Sequence, residues 1–183
     1  MVAPLCRPHG PSKSESSFVW CAAAAAPALA LGYAIGRLGS FLVGADYGLP
    51  TVLPWGMAFP AGAPPTTAAN LVTAFAADIP DGARSGDFVR VHPTQLYEAG
   101  LSLLVLAALV RLRAARHVRG WRLAGLFLIL HGCARVLVEP IRAKQDRLIG
   151  PVTADLLLAA ALVAAGFVLW GRKPRVTGAT EPV

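Results

Sequence analysis

Five ionisable residues stand where apolar sequence would exclude them: Arg37, His92, Arg135, Glu139 and Arg142. Arg37 falls in GRLGSFLVGADYG, residues 36–48. His92 falls in VHPTQLYEAG, residues 91–100, with Gln95, Tyr97 and Glu98. Arg135, Glu139 and Arg142 fall in HGCARVLVEPIR, residues 131–142. An ionisable group inside a membrane costs a few kcal/mol or more, and normally faces a partner or a cavity. His131, Arg135 and Glu139 are spaced i, i+4, i+8, which puts them on one helix face. Glu139 is one candidate partner for the two deep cations, Arg37 and Arg135. Two arginines against few carboxylates also point to an anion supplied from outside. A phospholipid phosphate suits them, because a guanidinium matches phosphate geometry and its charge cannot be titrated away. Gly39 and Gly44, beside Arg37, would let a headgroup or a neighbouring backbone approach closely. The plainer readings are small-residue helix packing for the glycines, a helix start for His92 and a structural tie for Arg135 and Glu139.

The elements that position these residues are membrane spans. Of the 183 residues 55% are hydrophobic and only 15% charged, with mean hydropathy +0.56. An ordinary soluble domain has about 25% charged residues. The net charge of +7 sits in short clusters between apolar runs, as membrane topology requires, and no nucleic-acid partner is expected. Cys6, Cys21 and Cys133 have neither metal-ligand spacing nor an even count, so no metal site or disulfide framework is expected.

These features predict an all-α integral membrane protein with about four spans, near 18–43, 94–113, 121–139 and 152–171. A disordered polar tail (1–17) precedes them and a cytoplasmic tail (172–183) follows. Thr94 would cap the second span, with Glu98 in its first turn; Pro140 would stop the third; Pro151 and Asp155 would open the fourth. Residues 44–93, rich in proline, read as one long non-helical loop, with short strands around 51–59 and 87–91 and with Trp55 and Phe59 in the headgroup zone. The 111–122 connection holds five arginines and no acid. Facing it to the cytoplasm places the long loop, and the ionisable residues, at the outer side.

GRLGSFLVGADYG, PTVLPWGMAFP, VHPTQLYEAGLS and HGCARVLVEPIR follow one another as in bacterial prolipoprotein diacylglyceryl transferases, and the chain resembles an N-terminally shortened, divergent member of that family. The resemblance covers roughly residues 29–170. It implies a multi-pass protein of the bacterial inner membrane. The implied reaction moves the diacylglyceryl group of phosphatidylglycerol to the lipobox cysteine thiol of a prolipoprotein signal peptide, forming a thioether and releasing glycerol phosphate. No cofactor or metal is implied. Carried over residue by residue, it makes Arg135, with His92 or Glu139 as base, the catalytic set. Arg37, Gly39, Ser40, Gly44, Gly48, Gln95, Tyr97, Glu98 and Arg142 would bind phosphatidylglycerol. Ser40, Val43 and Ala45 replace the asparagines and the glutamate of the usual GRxGNFxNGE pattern. Asp46 follows one position later, and on a continuing helix it would point about 100° away. The competing function is a membrane protein that binds phosphatidylglycerol or a lipoprotein precursor without turnover. A small channel or transporter fits less well, because no inverted repeat is evident.

Overall fold

The computed structural model describes residues 13–115, 120–144, 147–149 and 152–172. Its elements are α1 (Lys13–Val43), α2 (Ala68–Phe75), α3 (Thr94–Ala114), α4 (Trp121–Val138), a 3-10 turn (Glu139–Ile141), β1 (Arg147–Ile149), β2 (Val152–Thr153) and α5 (Ala154–Gly171). Four of these helices are long and apolar enough to cross a membrane, over Cys21–Val43, Thr94–Ala114, Trp121–Ile141 and Ala154–Gly171. The protein is a helical membrane protein of the expected class, and the described strands are confined to the short antiparallel pair β1–β2.

Alanines set the first packing contact. Ala23, Ala26, Ala30 and Ala34 recur along one face of α1 and are buried. The first three cluster with Val105 and Leu109 of α3 and Leu123 and Phe127 of α4. Side chains this small let helix backbones come close, which suits a lipid setting where apolar burial gives no net drive. Ser102 Oγ then reaches the Ala30 carbonyl at 2.8 Å. Leu29, Ile35, Leu38 and Leu42 lie on exposed positions of α1, free to meet lipid. A second close approach joins α4 to α5: a Cβ on Gly125 would stand 2.7 Å from the Gly166 carbonyl oxygen.

Several boundaries differ from the expectation. α1 already runs through residues 13–17, part of the stretch expected as tail, while residues 1–12 and 173–183 lie outside the described residues. The 44–93 segment is not wholly non-helical. Thr67 Oγ1 accepts from the Asn70 amide and opens α2, and Ala76 closes it in the left-handed region at φ 48°. At eight residues α2 is too short to show against flanking prolines. The expected strands reduce to isolated bridges, Pro50–Val91, Met57–Val91 and Thr67–Phe88. Pro50, Pro54 and Pro60 have no N–H to extend a ladder.

This segment packs on its own small core of Tyr47, Phe59, Leu71, Val89 and Val91, beside Ala143 from after the 3-10 turn. Thr94 does not cap α3; Pro93 holds the cap position and the Thr94 hydroxyl is used elsewhere. α4 ends at Val138, as Pro140 dictates. Thr153 caps α5, with Asp155 in its first turn; Pro151 lies outside the described residues.

Candidate functional site: an arginine–carboxylate network

The site begins where α1 stops. Gly44 turns the chain at φ 69°, where its absent Cβ also admits the Gly62 backbone. Asp46 follows at φ 58°. The turn is pinned from outside itself. Gln95 Nε2 donates to the Ala45 carbonyl at 2.6 Å, Thr94 Oγ1 to the Asp46 carbonyl at 2.9 Å, and the Gly48 amide to the His92 carbonyl at 2.8 Å. At Gly48 a Cβ would lie 2.5 Å from the Ile141 carbonyl oxygen, so only glycine lets the turn after α1, the first residues of α3 and the turn after α4 meet there.

This turn overturns the expectation for Asp46. The residue is off the helix, and its carboxylate folds back to Arg37 Nη1 at 3.0 Å. Arg37 Nε also meets Glu98 Oε2 at 2.6 Å and Tyr33 Oη at 3.1 Å. Arg142 Nη1 lies 3.3 Å from Glu98 Oε1 and 3.6 Å from Asp155 Oδ2, and its Nη2 lies 3.9 Å from Asp46 Oδ1. Arg135 Nη2 meets Asp155 at 3.1 Å, and its Nη1 donates to Tyr33 Oη at 2.9 Å. Lys144 contacts Asp155 and Glu139, and Thr153 donates to Glu139. Four cations and four carboxylates therefore alternate through the described network.

Two expectations are corrected by this geometry. Glu139 is not the partner of Arg37 or Arg135: Thr153 and Lys144 occupy its carboxylate, while α5 supplies Asp155 to Arg135. Nor are the arginines short of carboxylates. Burial grades the acids instead, with the Glu98 side chain 5% exposed and the Asp46 side chain 49%.

The remaining predicted residues sit around this centre. Gln95 is fully buried, with Oε1 lacking a partner among the described residues. A Cβ added at Gly39 meets no protein atom within 4 Å, so protein packing does not demand glycine there. Ser40 contributes its backbone carbonyl, which accepts from the Ala45 amide. The His92 ring stands 3.4 Å from Tyr97 Oη, which accepts from Trp55 Nε1 at 2.8 Å. Burial lowers the His92 pKa below the usual imidazole value, so the ring is neutral at pH 7. His92 and Glu139 thus flank the network while Arg37, Arg135, Arg142 and Glu98 form its middle.

Beside Arg135 lies a cavity of about 10 Å³ lined by Tyr33, Glu98, Ser102, His131, Ala134 and Arg135. Sequence reasoning missed Tyr33, Asp155 and Lys144 as members of the network. Tyr33 had a usable signal, standing one helical turn before Arg37. Asp155 and Lys144 had none, because only folding brings them near Arg135 and Glu139.

Three segments of the resemblance supply Arg37, Asp46, Glu98, Arg135, Glu139 and Arg142 to this network, and comparison with known proteins agrees. A family model described as prolipoprotein diacylglyceryl transferase matches residues 6–172. The chain belongs to the prolipoprotein diacylglyceryl transferase family. Its relatives include proteins named phosphatidylglycerol–prolipoprotein diacylglyceryl transferase. That of Bordetella parapertussis is 33% identical over 155 residues, which is 81% of this chain and 50% of the relative. That of Methylocella silvestris is 34% identical over 144 residues, 76% of this chain and 44% of the relative. That of Legionella pneumophila is 30% identical over 174 residues, 92% of this chain and 56% of the relative. The chain spans about half the length of these curated relatives.

Proposed function

We propose that the protein transfers the diacylglyceryl group of phosphatidylglycerol to the lipobox cysteine thiol of a prolipoprotein, in a bacterial inner membrane. The observation that supports this most is the meeting of Arg37, Arg135 and Arg142 around Glu98 and Tyr33, drawn from three separate helix ends. The chemistry needs such a centre. Sulfur attacks the glyceryl carbon, the thiol proton goes to a base, the carbon–oxygen bond breaks, and glycerol phosphate leaves with its charge increased. Preorganised cations at the departing phosphate lower that barrier. The reaction as written requires neither metal nor organic cofactor.

Four carboxylates already contact the four cations of the described network, so an incoming phosphate competes with a resident anion for the arginines. Asp46 is the exposed one and sits between Arg37 and Arg142; Glu98 is buried and stays. Neutral His92 is free to accept a proton, whereas the Glu139 carboxylate is engaged by Thr153 and Lys144. On this reading His92 serves as the base and Tyr97 orients it. Arg37→Ala should abolish transfer of labelled diacylglycerol to a lipobox peptide. Arg37→Lys should lose most of it, since an ammonium cannot reproduce the two-pronged contact. Undiminished transfer by Arg37→Ala would remove the phosphate role of the centre.

A further inference from the structure

Tyr33 joins the two deep arginines without neutralising either. Its Oη accepts from Arg37 Nε at 3.1 Å and from Arg135 Nη1 at 2.9 Å. The carboxylates divide between those two cations: Asp46 and Glu98 belong to Arg37, and Asp155 to Arg135. A phenol oxygen that accepts twice has its own O–H left to donate. The ring has little freedom to turn away. Its edge packs on His131, with centroids 4.6 Å apart and planes at 86°, and the Arg37 guanidinium lies 5.1 Å from its centroid.

The small cavity of about 10 Å³ is lined by this tyrosine together with Arg135, whose buried Nε lacks a partner among the described residues. Space of that size holds roughly one water or one ligand oxygen. A phenol O–H and a guanidinium N–H left over at one such space have room for one acceptor oxygen, and Glu98, which also lines it, already gives its carboxylate to Arg37 and Arg142. We propose that the Tyr33 hydroxyl donates to one oxygen of an oxyanion, a phosphate, held between Arg37 and Arg135. The anion comes from a phospholipid headgroup or from a free phosphate ester. The inference rests on the reading of this centre as a phosphate site, and not on the transfer step.

Two variants of the full chain test it. Tyr33→Phe keeps the ring contacts and removes the hydroxyl. Replacing Tyr33 by 3-fluorotyrosine makes the phenol a better donor and a poorer acceptor. Two probes are titrated: phosphatidylglycerol in phosphatidylcholine nanodiscs, and soluble glycerol phosphate. Loss of one charge-assisted hydrogen bond should weaken binding of the phosphate probe about tenfold in Tyr33→Phe. The fluorinated protein should bind more tightly than wild type. An effect confined to one probe assigns the source of the anion and still supports the contact.

Wild-type affinity in Tyr33→Phe would overturn the proposal. So would weaker binding in the fluorinated protein, which would make Tyr33 only an acceptor that spaces the arginines. Should the phenylalanine variant fail to fold, the fluorinated protein decides alone. These shifts in the two variants, together with a wild type that makes no thioether, would contradict the transferase reading and leave this inference standing.

Discussion

Glu98 and Asp46 answer the same arginines from opposite solvent regimes, and that difference governs what each removal should do. Glu98→Ala would leave Arg37 and Arg142 without their buried counter-ion, a change that costs about 3–5 kcal/mol. Asp46→Ala removes a half-exposed pair worth about 1 kcal/mol or less. Unfolding of the two variants in detergent checks this, and equal losses would contradict the burial ranking. His92 gives a pH signature. Its folded pKa is depressed, so the unfolded state binds more protons and its contribution is present above about pH 6.5 and lost as pH falls below that. Stability should decline with acidity more steeply in wild type than in His92→Gln, as pH-dependent melting would record. At this scale the sequence made Arg37, Glu98, Arg135 and Arg142 legible, because charge in apolar sequence is conspicuous. Their pairings were not legible. Asp46 depends on a left-handed turn, and Asp155 on a contact between α4 and α5.

The elements were easier to read than their edges. Apolar runs of span length identify α1, α3, α4 and α5, and Pro140 marks the end of α4 correctly. Prolines broke the expected strand ladders, and α2 rests on tertiary packing of Leu71 with Tyr47 and Phe59, which leaves no periodic pattern. The glycines separate by element. Gly166→Leu would force α5 away from Ile129 and the Gly125 carbonyl, and overpacking of this kind costs about 1–3 kcal/mol. Gly39→Ala meets open space and gains helix propensity of about 1 kcal/mol. Melting temperatures should therefore fall for Gly166→Leu and hold or rise for Gly39→Ala. If Gly39 serves headgroup approach, Gly39→Ala should also weaken phosphatidylglycerol binding without losing stability. Unchanged binding would restrict the glycine requirement to Gly44 and Gly48.

For the whole molecule, the charge pattern and the network make one joint claim. The network gathers the end of α1, the start of α3, the end of α4 and the start of α5 at one end of the bundle. The arginines that close α3, Arg111 and Arg113, lie at the other. We propose that the latter end faces the cytoplasm. A cysteine placed at Ala115 should then react with an impermeant thiol probe only after the inner face is opened, and labelling from outside would invert the molecule. The central claim is that this gathered site performs diacylglyceryl transfer. The most direct measurement supplies the purified chain with labelled phosphatidylglycerol and a lipobox peptide, and follows thioether product and released glycerol phosphate together. The account predicts both in equal amounts, and neither in Arg37→Ala. Phosphatidylglycerol binding with no thioether from a folded wild-type chain would contradict it and leave a binder in its place.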